Sequence, residues 1–105
     1  MIKKIIKIIK KKILESKSYS IFILKNNFDF LIKKMFEELN EIIISLEKYK
    51  KYKNCYNRYF LIKEICDLLY HIILFILYNN FSLFEIEKEF FRRTKISGNK
   101  EKQYR

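Results

Sequence analysis

Over residues 28 to about 48 the apolar positions Leu31, Ile32, Met35, Leu39, Ile42, Ile43 and Leu46 recur at spacings of three and four, the period of a long amphipathic helix. Asp29 falls in its first turn, where the positive end of the helix dipole favours an acid. A second long helix is predicted from about residue 58 to 78, broken by Asn79 and Asn80. Between the two, residues 49–57 are polar, lysine-rich and aromatic with no helical stripe, and read as a loop. Ser82 followed three residues later by Glu85 is a capping box, so a last helix is predicted from 83 to about 93, closing on basic residues.

The first fifteen residues read as a basic amphipathic helix, in which Lys3, Lys4, Lys7, Lys10, Lys11 and Lys12 alternate with isoleucines. The same lysines interrupt any apolar run, so a signal-peptide core is not expected. Residues 68–84 carry no charge, but His71, Asn79, Asn80 and Ser82 lie within them; a helix buried in a bundle or dimer is the expected reading, rather than a membrane span. Residues 94–105 form a polar tail.

Composition narrows the fold class. The 105 residues contain no proline and one glycine, Gly98, which excludes glycine-rich phosphate loops and hairpin-rich β architectures; half the residues are apolar, which excludes disorder. One all-α domain spanning 1–105 is therefore expected. The net charge of +11 points to a polyanionic partner, and nucleic acid, anionic membrane and a multiply phosphorylated small molecule all satisfy it. Cys55 and Cys66 show neither metal-type nor disulfide-type spacing and are read as reduced core thiols of a cytoplasmic protein.

Five acids form two clusters, Glu37, Glu38 and Glu41 on the first long helix and Glu64 and Asp67 on the second. Glu38 and Glu41 are three apart, as are Glu64 and Asp67, so each pair shares one helical face. The second pair sits in an apolar context that implies burial, and buried carboxylates without a counter-charge are costly. A hard divalent cation such as Mg2+ removes that cost if the helices pack antiparallel and the four carboxylates converge. A solvated acidic face with surface ion pairs is the competing reading.

The segments KKMFEELNEIIIS and KEICDLLYHIILFIL resemble the paired acidic helices of the all-α nucleoside-triphosphate pyrophosphohydrolases of the MazG-like superfamily. Within it the chain is most similar to the phosphoribosyl-ATP pyrophosphohydrolase family. The likeness rests on Ser18, Tyr19 and Ser20; on Lys34, Glu37 and Glu38; on Asp67, Leu68, Leu69, Tyr70 and His71; and on Arg92, Arg93, Ile96, Ser97, Gly98, Glu101, Lys102 and Arg105. Phe36 and Asn27 depart from it, standing where the family usually has glycine, and the connection at 49–57 looks longer than usual.

The resemblance implies a helical bundle completed by homodimerisation, and Mg2+-dependent hydrolysis of phosphoribosyl-ATP to phosphoribosyl-AMP and pyrophosphate in histidine biosynthesis. It implies Glu38, Glu41, Glu64 and Asp67 as metal ligands, with Glu37 holding a second ion or orienting water. Lys34, one turn before Glu38, is expected either to hold a substrate phosphate or to pair with Glu38. His71 is expected to support Asp67 by a hydrogen bond, or to be a satisfied core histidine. Arg92, Arg93 and Lys102 are candidates for substrate phosphates, although a basic helix end also suits the dipole. A housekeeping nucleoside-triphosphate pyrophosphohydrolase is the alternative within the same chemistry. A basic helical module binding nucleic acid or membrane is the alternative outside it; that reading leaves the acid spacing unexplained, so neither partner is expected.

Overall fold

The computed structural model describes residues 27–95 continuously, together with Lys4, Lys7, Ile8, Lys10, Lys11, Glu15 and Lys25 individually. Its elements are α1 (Phe28–Lys51), α2 (Cys55–Tyr78) and α3 (Leu83–Arg93), so the described chain is all-α as expected. Most of the basic first helix, Ser18, Tyr19 and the tail from residue 96, Lys102 included, lie outside the described residues.

The connection between the long helices is three residues, 52–54, not the nine expected. Residues 49–51 continue α1 because Lys48, Lys50 and Lys51 sit at the negative end of its dipole. The polarity that suggested a loop is thus a helix-end signal. Asn54 caps α2, its Oδ1 accepting from the Asn57 N–H at 2.8 Å, and this starts α2 three residues before the expected position. Asn57 Nδ2 donates to the Tyr52 carbonyl at 2.9 Å and reaches the Lys48 carbonyl at 3.5 Å, tying the start of α2 to the end of α1. So short a link makes α1 and α2 an antiparallel helical hairpin.

The second turn follows the sequence reading. Asn79 Nδ2 donates to the Phe75 carbonyl at 2.8 Å, and Asn80 takes φ 60°, the left-handed region in which asparagine substitutes for glycine. The capping box of α3 is complete: Ser82 Oγ accepts from the Glu85 N–H at 3.2 Å, and Glu85 Oε2 accepts from the Ser82 N–H at 2.7 Å. Asn80 is the one residue other than glycine with positive φ among those described, so neither Phe36 nor Asn27 occupies a position that needs glycine.

The hairpin seam holds the core. Leu31 of α1 meets Leu74 of α2, both fully buried, with Met35, Tyr70, Phe75 and Tyr78 around them. Phe28 closes this end with its ring 5.1 Å from Tyr78 and 5.9 Å from Phe75. Much apolar surface is left over. Phe36, Leu39 and Ile43 on α1 and Ile62, Ile65 and Leu69 on α2 are exposed, each set at i, i+3, i+7. Cys55 and Cys66 are also exposed, which corrects their reading as core thiols: they sit on the outer faces of α2. No described helix is long and apolar enough to cross a membrane.

Candidate metal centre

The antiparallel hairpin brings the acids of α1 opposite those of α2. One carboxylate oxygen each from Glu38, Glu41 and Glu64 lies within 4.8 Å of the others. Spacing on each helix supplies the pairs, and the hairpin register brings them together.

The electrostatics of this cluster are unfavourable without a cation. Burial raises the carboxyl pKa of Glu38 above its ordinary value, and the charges of Asp67 and Glu41 add to the rise; His71 and Lys34 oppose it. Burial also raises Glu64, followed by the Glu41 carboxyl beside it and the charge of Asp67, with Lys63 opposing. Like charges about 4 Å apart near a protein surface repel by about 4 kcal/mol. Glu64 Oε2 is buried and has no hydrogen-bond partner. A buried acceptor left unmade costs the desolvation of that group, and a hard cation removes the cost. An octahedral ion with oxygen bonds of 2.0–2.1 Å sets adjacent oxygens about 2.9 Å apart and opposite ones about 4.2 Å apart. Three oxygens within 4.8 Å therefore fit the group with small adjustments.

The other candidate residues are placed unequally. Asp67 is close enough for its charge to act on both Glu38 and Glu64, but its oxygens stand outside the trio. Glu37, one step round α1, is exposed and pairs with Lys34 at 3.6 Å. Lys34 thus makes its ion pair with Glu37, and not with Glu38, the alternative to a phosphate-binding role. His71 is buried: its Nδ1 lies 2.8 Å from the Asp67 backbone carbonyl and 3.6 Å from Glu38 Oε1. It contacts the main chain of Asp67 rather than the expected carboxylate, and it faces Glu38. Arg92 and Arg93 on α3 bind Glu89, Arg92 Nη2 at 2.7 Å and Arg93 Nε at 3.3 Å.

The sequence pattern of the phosphoribosyl-ATP pyrophosphohydrolase family matches residues 2–94. The chain belongs to that family. Like it, a phosphoribosyl-ATP pyrophosphatase of Clostridium acetobutylicum is similar, 34% identical over 88 residues, which cover 84% of this chain and 74% of the relative. One from Bacillus cytotoxicus is 36% identical over 87 residues, 82% of this chain and 75% of the relative. A histidine biosynthesis bifunctional protein of Lactococcus lactis is 33% identical over 84 residues, 80% of this chain but 36% of that longer protein. No solved structure matches. As a phosphoribosyl-ATP pyrophosphohydrolase family member, the chain carries its acidic hairpin on a three-residue link.

Sequence reasoning passes over Tyr56, because residues 49–57 read as a loop, and with Tyr56 unplaced Phe60 has no aromatic partner on its face. Once α2 begins at Cys55, Tyr56, Phe60 and Glu64 fall at i, i+4, i+8 on one face of it. Together with Glu41, Lys48 and Asn57 they line a cleft of about 430 Å³ that opens beside the acids.

Proposed function

We propose that this chain hydrolyses phosphoribosyl-ATP to phosphoribosyl-AMP and pyrophosphate, the second step of histidine biosynthesis, with Mg2+ held by Glu38, Glu41, Glu64 and Asp67. The observation that carries the reading is the partnerless buried Glu64 Oε2 within a trio of carboxylates. When bound, a divalent ion supplies neutralisation of phosphate charge and a more acidic water. Glu38, Glu41 and Glu64 would hold it from two helices, with Asp67 near enough for its charge to act on Glu38 and Glu64. His71 holds Glu38 in place through its buried ring, itself anchored on the Asp67 carbonyl. Lys34 and Glu37 form a polar border on the solvent side, where Lys34 meets an incoming phosphate by exchanging Glu37 for it.

The proposal includes a homodimer. The stripes Phe36, Leu39, Ile43 and Ile62, Ile65, Leu69 are the i, i+3, i+7 patterns that a four-helix bundle buries, and a second hairpin supplies the missing pair of helices. It also includes a cytoplasmic setting, in keeping with two free, exposed cysteines. Arg92 and Arg93 remain candidates for substrate phosphate by releasing Glu89, and Lys102 for the same role from the tail. Purified protein is expected to release pyrophosphate from phosphoribosyl-ATP with Mg2+ and not with EDTA, and to prefer it over a panel of free nucleoside triphosphates. Absence of release, or preference for a free triphosphate, overturns the reading.

A further inference from the structure

The cleft beside the acids has two chemically different ends. At one end Glu41 and Glu64 face each other; at the other, Lys48 of α1 stands against the first turn of α2. Lys48 follows Glu41 by seven residues and Tyr56 precedes Glu64 by eight, so the slot extends roughly 10 Å along both helices. Its middle is aromatic. Tyr56 and Phe60 meet edge to face with ring centroids 4.8 Å apart, which holds the exposed Tyr56 ring in a fixed plane. Lys48 also lines a neighbouring concavity with Glu47, Lys50 and Lys51, and the first turn of α2 beside it carries no acid.

We infer that this cleft seats the part of the substrate beyond its reacting phosphates: the purine stacks on Tyr56, and Lys48 with the start of α2 takes the phosphate of the added ribosyl group. The inference rests on the reading above. Phosphoribosyl-ATP differs from ATP by a second phosphate on the far side of the base, and a slot with acids at one end, an aromatic plate in the middle and a cation at the other matches that order of groups. The chemistry makes Lys48 the residue that selects the extended nucleotide over ATP, and Tyr56 the one that serves both.

The test is calorimetric titration of wild-type protein and variants with phosphoribosyl-AMP and with AMP in Mg2+, alongside kcat/KM for phosphoribosyl-ATP and ATP. Lys48→Met is expected to weaken phosphoribosyl-AMP about 10-fold while leaving AMP within about 2-fold, and to lower the preference for phosphoribosyl-ATP by the same factor. Tyr56→Ala is expected to weaken both nucleotides about 10-fold, with Tyr56→Phe restoring them, because the loss is of a stacking face. Lys88→Met on α3 removes the same charge outside the cleft and is expected to change neither. The inference is overturned if Lys48→Met acts no differently from Lys88→Met or weakens both nucleotides equally, or if Tyr56→Ala binds both as wild type does. Wild-type protein that binds these nucleotides without hydrolysing phosphoribosyl-ATP defeats the proposed activity, and the titrations still decide the cleft.

Discussion

The carboxylates of the hairpin seam and those of α3 meet opposite surroundings. In the seam, Glu38 and Glu64 are desolvated and face other acids, and both are pushed above their ordinary pKa. On α3, Glu89 is exposed and accepts hydrogen bonds from Arg92 and Arg93, which lower it to about 2. A carboxylate whose counter-charges lie three and four residues along its own helix completes itself locally and asks nothing of the rest of the protein. For the seam acids the counter-charges of Lys34 and Lys63 are outweighed by burial and by the neighbouring acids, and Lys34 makes its ion pair with Glu37. The difference separates acids that crowd together in the seam from acids that hold a helix end together.

The sharpest way to break this distinction is to neutralise one seam acid at constant shape. Glu41→Gln, Glu64→Gln or Asp67→Asn is expected to lower Mg2+-dependent pyrophosphate release at least about 10-fold, the range for disturbed metal sites, whereas Glu87→Gln on α3 leaves it unchanged. Near-normal activity in Asp67→Asn removes Asp67 from the donor set and leaves the trio standing.

The same substitutions are expected to act on stability in the opposite sense. Relief of about 1 kcal/mol of carboxylate repulsion in Glu64→Gln raises the melting midpoint of EDTA-treated protein by roughly 4–8 °C and abolishes further stabilisation by Mg2+. A lower midpoint in EDTA contradicts the claim that the seam is strained without a cation.

The pH dependence separates the two regions by sign. Because Glu38 and Glu64 are raised in the folded protein, it holds their protons more tightly than the unfolded chain does. Metal-free stability therefore increases as pH falls through their folded values toward the ordinary 4.5, and gains nothing further below it. Glu89, being depressed, contributes stability above 4.5 that is lost as pH falls toward about 2. Its exposure to solvent makes that contribution small, visible as fraying of α3 by amide exchange rather than as a shift of the whole transition.

Ser82→Ala is expected to have the smallest effect on the site. It costs about 1 kcal/mol at the α3 N-terminus, read as faster amide exchange over the first turn of that helix, with metal-dependent activity retained.

The local rules were legible in the chain itself. The period of α1, the stop at Asn79 and Asn80, the Ser82–Glu85 box and the absence of glycine-dependent turns were read from neighbouring residues, because each is decided by contacts within one or two helical turns. So were the acid pairs, since i, i+3 spacing places Glu38 with Glu41 and Glu64 with Asp67 without any partner helix. The tertiary structure decided what spacing leaves undetermined: that the trio is Glu38, Glu41 and Glu64 while Glu37 faces Lys34, and that His71 turns to Glu38. Those outcomes depend on the rotation and register of one helix against the other, which the three-residue link and the Leu31–Leu74 contact set. The boundary at residues 49–57 was misread for a related reason. Lysines at a helix end and lysines in a loop look alike until the dipole of a 24-residue helix and the Asn54 and Asn57 side chains that close the hairpin are in view.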